Sequence, residues 1–293
     1  LAATVPALIA KCSNREPWSK SMPSLGSGKY DRGYIIPIGG CKHHITDDIA
    51  EQIRSICLNA NASAVILTIS SNTIEHDLRS NLIDNGFSTC SEVTITSRQD
   101  ASQEELVQQL ADNDLIIIVG QRPLQISTII GGTPMAKQLR KLNADGVHIA
   151  GSYGAAALLS EHMIAGGEES ITPKQDGVTM APGLGLTNRF MLDYHFQQPG
   201  RLGRLLTALS YNPFTIGIGI DEGSALFISP EEELQVHGKG SATLIDPSNL
   251  QYSSMGSAGS GDYISLFGLQ MHILAPGSRF KASDHQAYDE HWA

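Results

Sequence analysis

The 293-residue sequence is poor in cysteine, in aromatic residues and in long apolar runs, and each shortage closes off a class of protein. Cys12, Cys41, Cys57 and Cys90 have no metal-type spacing, so a single disulfide is compatible with them but a disulfide framework is not implied. Cys57 falls at an apolar helical position. His43 and His44 follow Cys41 without a spaced second pair, which reads as a solvated loop, and no metal site is expected. No stretch approaches the roughly 18 apolar residues that a membrane-spanning helix needs. Excess positive charge is missing too. The 30 acidic against 20 basic residues give a net charge of −10, scattered along the chain, and a polyanion such as nucleic acid is not an expected partner.

An apolar fraction of 41% is enough for a sizeable core. The opening run, Leu1 to Ala10, fits a terminus left after leader removal as well as a shortened chain; an extracellular location is the favoured expectation over a cytoplasmic one. Residues 1–32 are rich in Pro, Ser, Gly and Lys and read as an extension, with Leu1 to Ile9 expected to dock on the chain's own domain or on a neighbouring subunit. Residues 33–293 read as one domain. Short apolar runs at Tyr34 to Ile38, Ala64 to Ile69, Leu115 to Val119 and Val147 to Ala150 alternate with helical periodicity, which is the pattern of a parallel sheet with crossover helices. Ile49, Ile53 and Ile56 share one helix face, with Asp47 and Asp48 in the first turn. Ser102 and Glu105 have capping-box spacing, and Met135, Leu139 and Leu142 line another helix. After Gly183 come one helix, Arg201 to Leu209, and short strands at Thr215 to Ile220, Ala225 to Ile228, Ala242 to Ile245 and Gln270 to Leu274, expected as an antiparallel extension of the same sheet. The fold class is therefore α/β, a mostly parallel central sheet flanked by helices with an antiparallel C-terminal extension.

The segment Val147-His-Ile-Ala-Gly-Ser-Tyr-Gly-Ala-Ala-Ala157 is a buried strand entering a helix through small residues, the setting of a nucleophile elbow. Downstream stand Ala181-Pro-Gly-Leu-Gly-Leu186, Asp193-Tyr-His-Phe196, Gly200-Arg-Leu-Gly-Arg-Leu-Leu206 and Gly217-Ile-Gly-Ile-Asp-Glu222. Gly183-Leu-Gly185 is a tight turn rather than a phosphate loop, and no cofactor is expected. With Tyr34-Ile-Ile-Pro-Ile-Gly-Gly40 before them and Val236-His-Gly-Lys-Gly-Ser-Ala242 after, these motifs in this order closely resemble the cyanophycinases, relatives of peptidase E among the serine peptidases. The resemblance spans roughly residues 33 to 280.

It implies cleavage of β-aspartyl-arginine bonds by a serine in a Gly-Thr-Ser-Ala-Gly turn, helped by a histidine in an Asp-Gln-His-Phe stretch. The histidine is His195, flanked by Asp193 and Phe196. Ungapped flanks put Tyr153 in the nucleophile seat and Ser152 at the preceding threonine. A phenol with a pKa of about 10 is bulky and a poor acyl acceptor, so acyl-enzyme chemistry should fail. The family's Gly-Gly-Asp-Gln, whose glutamine reaches the substrate, is here Gly120-Gln-Arg-Pro123, leaving Gln121 beside the turn. Tyr194 replaces the glutamine before the histidine, and Pro199 the first arginine of Arg-Gly-Arg, so that only Arg201 and Arg204 remain to hold an acidic group. The triad acid falls near Ile171, with Glu168 and Glu169 close by. The pattern implies an inactive homologue that binds a peptide or β-aspartyl ligand or self-assembles as a homo-oligomer. The alternative is a divergent serine peptidase that uses Ser152 and His195.

Overall fold

A computed structural model of the chain describes residues 32–40, 45–70 and 76–289. The expected docking of Leu1 to Ile9, and the group Cys41, His43 and His44, lie outside them. In chain order the elements are β1 (Ile35–Ile38), α1 (Asp47–Ile56), β2 (Ser63–Ile69), α2 (His76–Asp84), β3 (Thr89–Ile95), α3 (Glu104–Gln108), β4 (Leu115–Gly120), α4 (Pro123–Ile130), α5 (Pro134–Ala144), β5 (His148–Tyr153) and α6 (Gly154–Leu158). There follow β6 (His162–Gly167), β7 (Val178–Pro182), β8 (Phe190–Tyr194), α7 (Arg201–Tyr211), β9 (Ile216–Ile220), β10 (Ser224–Ile228), β11 (Glu233–Gly238) and β12 (Ala242–Asp246). The chain ends in β13 (Tyr252–Ser253), β14 (Leu266–Phe267), β15 (Gln270–Leu274), β16 (Arg279–Lys281) and β17 (Gln286–Tyr288).

A nine-stranded sheet, β17-β16-β11-β10-β1-β5-β4-β2-β3, forms the centre. From β1 to β3 its pairings are parallel, as the continuous apolar runs require: strands covered by helices on both faces need no polar alternation. Beyond β1 the pairings are antiparallel, so the expected C-terminal extension is present, built by β10, β11, β16 and β17. Side chains such as Ile36 and Ile38 are wholly buried, each burial contributing about 1.5–3 kcal/mol. On the opposite face to these lie Val65, Leu67, Ile116 and Ile118, packed with Met135 and Leu139 of α5.

Three of the four expected late strands do something different. β9, β12 and β15 join β8 in a separate four-stranded sheet, β15-β12-β9-β8, in which β8 and β9 run parallel. The alternation Ile216-Gly-Ile-Gly-Ile220 accounts for its position. Ile218 and Ile220 face the main core, while Gly217 and Gly219 make the other face flat enough for α7 and Phe196: a Cβ on Gly219 would stand 2.1 Å from the Phe196 ring.

The capping box at Ser102 is not formed. The Ser102 hydroxyl donates to the carbonyl of Arg98, Gln103 occupies the N-cap without a side-chain bond, and α3 is one short turn. β3, whose outward positions are polar, escaped the sequence reading. Cys57 and Cys90 are buried free thiols, pushed up to about 12 and about 11 by burial. No helix among the described residues is long and apolar enough to cross a membrane.

Candidate active site

The carboxyl ends of β1, β4 and β5 meet at one edge of the central sheet, and the chain from β8 arrives there from the second sheet. β5 turns into α6 at Tyr153, whose backbone is held at φ 56° and ψ −130°. A side chain rarely tolerates this region at all, and its retention by a bulky residue marks a turn imposed by its surroundings. Those surroundings are tight. A Cβ on Gly151 would lie 2.5 Å from the carbonyl oxygen of Ala155, and one on Gly154 would lie 2.4 Å from that of Gln121 and 2.8 Å from Pro123 Cδ. Small residues flank Tyr153 because helix and neighbouring loop leave no room for others.

Ser152, one residue earlier, is a strand residue paired with Ile38 on one side and Val119 on the other, and is only 4% exposed. Neither Ser152 nor Tyr153 is among the residues that line the cleft beside this turn.

His195 follows β8 and is pinned by its backbone: its N–H donates to the carbonyl of Gly39 at 3.0 Å, and the next N–H, of Phe196, to that of Ile220. The imidazole lies against Gly40, where a Cβ would stand 2.4 Å from Cε1. Its ring centroid is 5.6 Å from that of Tyr153 and 5.4 Å from that of Tyr194. Burial lowers the His195 pKa, the Arg201 charge lowers it further, and Glu222 and Asp193 oppose both. The buried Nδ1 has no hydrogen-bond partner among the described residues, so no carboxylate orients the ring there.

Asp193 and Arg204 are in place but engaged with each other. Arg204 donates through Nε at 2.7 Å and through Nη2 to the two oxygens of the wholly buried Asp193 carboxylate, which also accepts from the N–H of Tyr194. Neither is free for a ligand. Arg201 bonds Gln198 at 2.5 Å and lies over the Tyr194 ring at 5.7 Å. Ile171 is 73% exposed, and Glu168 pairs with Lys174 at 3.8 Å.

Gln121, Arg122, Pro123, Leu124, Gln125, Thr128, Ala165 and Tyr194 line a cleft of about 570 Å³ beside this turn. Pro123 is the first residue of α4, a position where its missing N–H costs no helix bond. The Tyr194 hydroxyl closes one side by donating to the Gln121 carbonyl at 3.2 Å. Gly40 was not among the site residues expected from sequence, and Tyr194 entered there only as the replacement for a glutamine. Their signals were there, one adjoining His195 and the other ending the first strand's Gly-Gly. A larger cavity, about 1060 Å³, opens at the opposite end of the sheet around His148 and Asp114 and has no part in this constellation. Among the described residues no three His, Cys, Asp or Glu side chains gather as a metal site would need.

The model of peptidase family S51 matches residues 36–236, more than half of the chain. The chain belongs to that family. It is 31% identical over 262 residues to a cyanophycinase of Synechococcus elongatus, spanning 87% of this chain and 81% of that protein. A cyanophycinase of Geminocystis herdmanii is 33% identical over 189 residues, 64% of this chain and 68% of its own. In fold the S51 chain is similar to a peptidase from an acI-B1 Actinobacterium, with a TM-score of 0.61 at 19% identity, covering 85% of this chain and 97% of that one.

Proposed function

We propose that this S51 protein keeps the family framework and its cleft but not the acyl-enzyme chemistry, and acts by binding a short peptide or β-aspartyl ligand. The observation that carries the reading is the phenol of Tyr153 on the strained strand-to-helix turn, facing His195 across 5.6 Å. A serine hydroxyl at that turn would receive a proton-accepting imidazole; a phenol is a weak acyl acceptor and fills the space the acyl group needs. The unpartnered Nδ1 adds to this, since a general base works best when a third group fixes its tautomer. A binding role is supported by the cleft, whose rim carries the Gln121 and Arg122 side chains and whose wall is Tyr194, with Arg201 stacked behind it.

The test is hydrolysis of β-Asp-Arg dipeptide together with labelling by a fluorophosphonate. The wild type is expected to show neither, while binding the dipeptide in a calorimetric titration. Tyr153→Ser, alone and with Pro123→Gln and Pro199→Arg, is expected to gain measurable hydrolysis. Labelling of wild-type Ser152 would overturn the proposal.

A further inference from the structure

The cavity of about 1060 Å³ opposite the cleft opens where β1, β4 and β5 begin, and Arg32, where the described chain starts, forms part of its wall. Tyr34, Ile56 and Val147 give it apolar surface, and Leu58 beside them is 98% exposed. Its histidine is engaged at both nitrogens. Nδ1 of His148 accepts the Tyr34 N–H at 3.0 Å, so the ring proton sits on Nε2, which donates to the carbonyl of Ile56 at 3.1 Å. The Cys57 thiol is pushed up to about 12 by burial. With no free base and no ready nucleophile, the cavity is suited to holding a group rather than transforming one.

Its charge is one-sided. Asp114, Asp145 and Glu231 line it against Arg32, whose guanidinium already donates to the Leu186 carbonyl at 2.7 Å. One oxygen of Asp114 accepts the Ser63 N–H at 2.8 Å; the other, and both of Asp145, have no partner among the described residues. The chain itself carries a complementary segment. Residues 1–31 hold Lys11, Arg15, Lys20 and Lys29 against Glu16 and Asp31, a net positive stretch in a chain of net charge −10. Between Arg15 and Leu25 stand the apolar side chains of Trp18, Met22 and Leu25, and Pro23 bars one continuous helix there.

We infer that residues 15–25 of this chain dock in this cavity, with Trp18 against Tyr34, Ile56 and Leu58 and with Arg15 and Lys20 towards Asp114, Asp145 and Glu231. Covalent connection decides the occupant. Arg32 lies in the wall, and the fourteen residues from Trp18 to it reach up to about 46 Å at about 3.3 Å each, more than the approach requires. A short tether holds such a segment at about 1 mM, so a contact with an intrinsic Kd of about 0.1 mM is filled in about nine molecules of ten. A separate partner would have to reach that concentration in solution. Charge complementarity then sets the orientation, and the indole supplies the anchor that a partly apolar pocket favours. The docking is independent of whether the chain hydrolyses anything.

Trp18 and Trp292 are the two tryptophans of the chain, so Trp292→Phe leaves Trp18 as the one indole to follow by fluorescence. In that full-length background its emission is expected to lie to the blue of a free peptide of residues 15–25, with acrylamide quenching at least about 3-fold weaker, as a mostly filled cavity requires. Leu58→Lys removes an apolar contact and sets an ammonium against Arg15 and Lys20; it is expected to raise the quenching at least about 2-fold, and the exposure of Leu58 spares the fold. Tyr263→Ser, at an exposed ring outside the cavity, should leave the quenching unchanged. In the double variant Ser19→Cys, Asn59→Cys, mild oxidation should join the two positions within one chain, read by mass spectrometry. Trp18 quenched as freely as in the peptide, quenching indifferent to Leu58→Lys, or positions 19 and 59 that stay unlinked or link only between chains would each overturn the inference.

Discussion

Removing one member of the Asp193–Arg204 pair should be among the most damaging single changes available near the cleft. The Asp193 side chain is wholly buried and that of Arg204 is 8% exposed, so neither charge can turn to water when its partner goes. Asp193→Asn leaves a guanidinium without its counter-charge; Arg204→Gln leaves a carboxylate still held by the Tyr194 N–H alone. Breaking such a pair costs about 3–5 kcal/mol, whereas replacing both charges together is often close to neutral. At roughly 2–4 °C per kcal/mol, each single variant should unfold about 6–20 °C below the wild type. The double variant, with two amides that can bond each other and keep an acceptor for Tyr194, should recover at least half of the loss. Thermal unfolding by circular dichroism and denaturant titration measure all four proteins as a double-mutant cycle. Singles within about 1 kcal/mol of wild type, or a double variant as unstable as the sum of the singles, would refute the reasoning, because either means the charges do not depend on each other. Asp193 lies two residues before His195, so Asp193→Asn should also broaden or shift the imidazole resonances.

Two further outcomes follow from close packing at the turn and from buried histidines. Gly154→Ala places a methyl 2.4 Å from the Gln121 carbonyl, and since Gly154 needs no positive φ, the cost is steric: about 1–3 kcal/mol in denaturant unfolding, with a changed near-ultraviolet signal from Tyr194. His195, His148 and His237 all have pKa values lowered chiefly by burial, so the unfolded chain binds more protons than the folded one on the acid side. Their contribution to stability should be complete above about pH 6.5 and lost as pH falls through the lowered folded values. Unfolding curves and imidazole titration by NMR between pH 7.5 and 4.5, a range of about three units, check this; His195 titrating above its ordinary value would contradict it.

Local chemistry wrote much of this protein into its sequence. Apolar runs with no polar alternation could only be strands covered on both sides, and Gly151 and Gly154 around Tyr153 already marked a turn too close for side chains. Periodicity along one segment carries no information about which distant strand it will pair with, so β9, β12 and β15 were assigned to the wrong sheet. What separates them is the fit of Phe196 and α7 onto Gly217 and Gly219, a long-range packing fact. The same holds for Asp193 and Arg204, which looked from their positions like ligand-binding residues. Folding buries the two together and commits each charge to the other. Sequence alone determined which residue stands at the turn, Tyr153. Tertiary structure alone decided its surroundings, because only the meeting of two sheets sets His195 against Gly40, between Tyr153 and Tyr194.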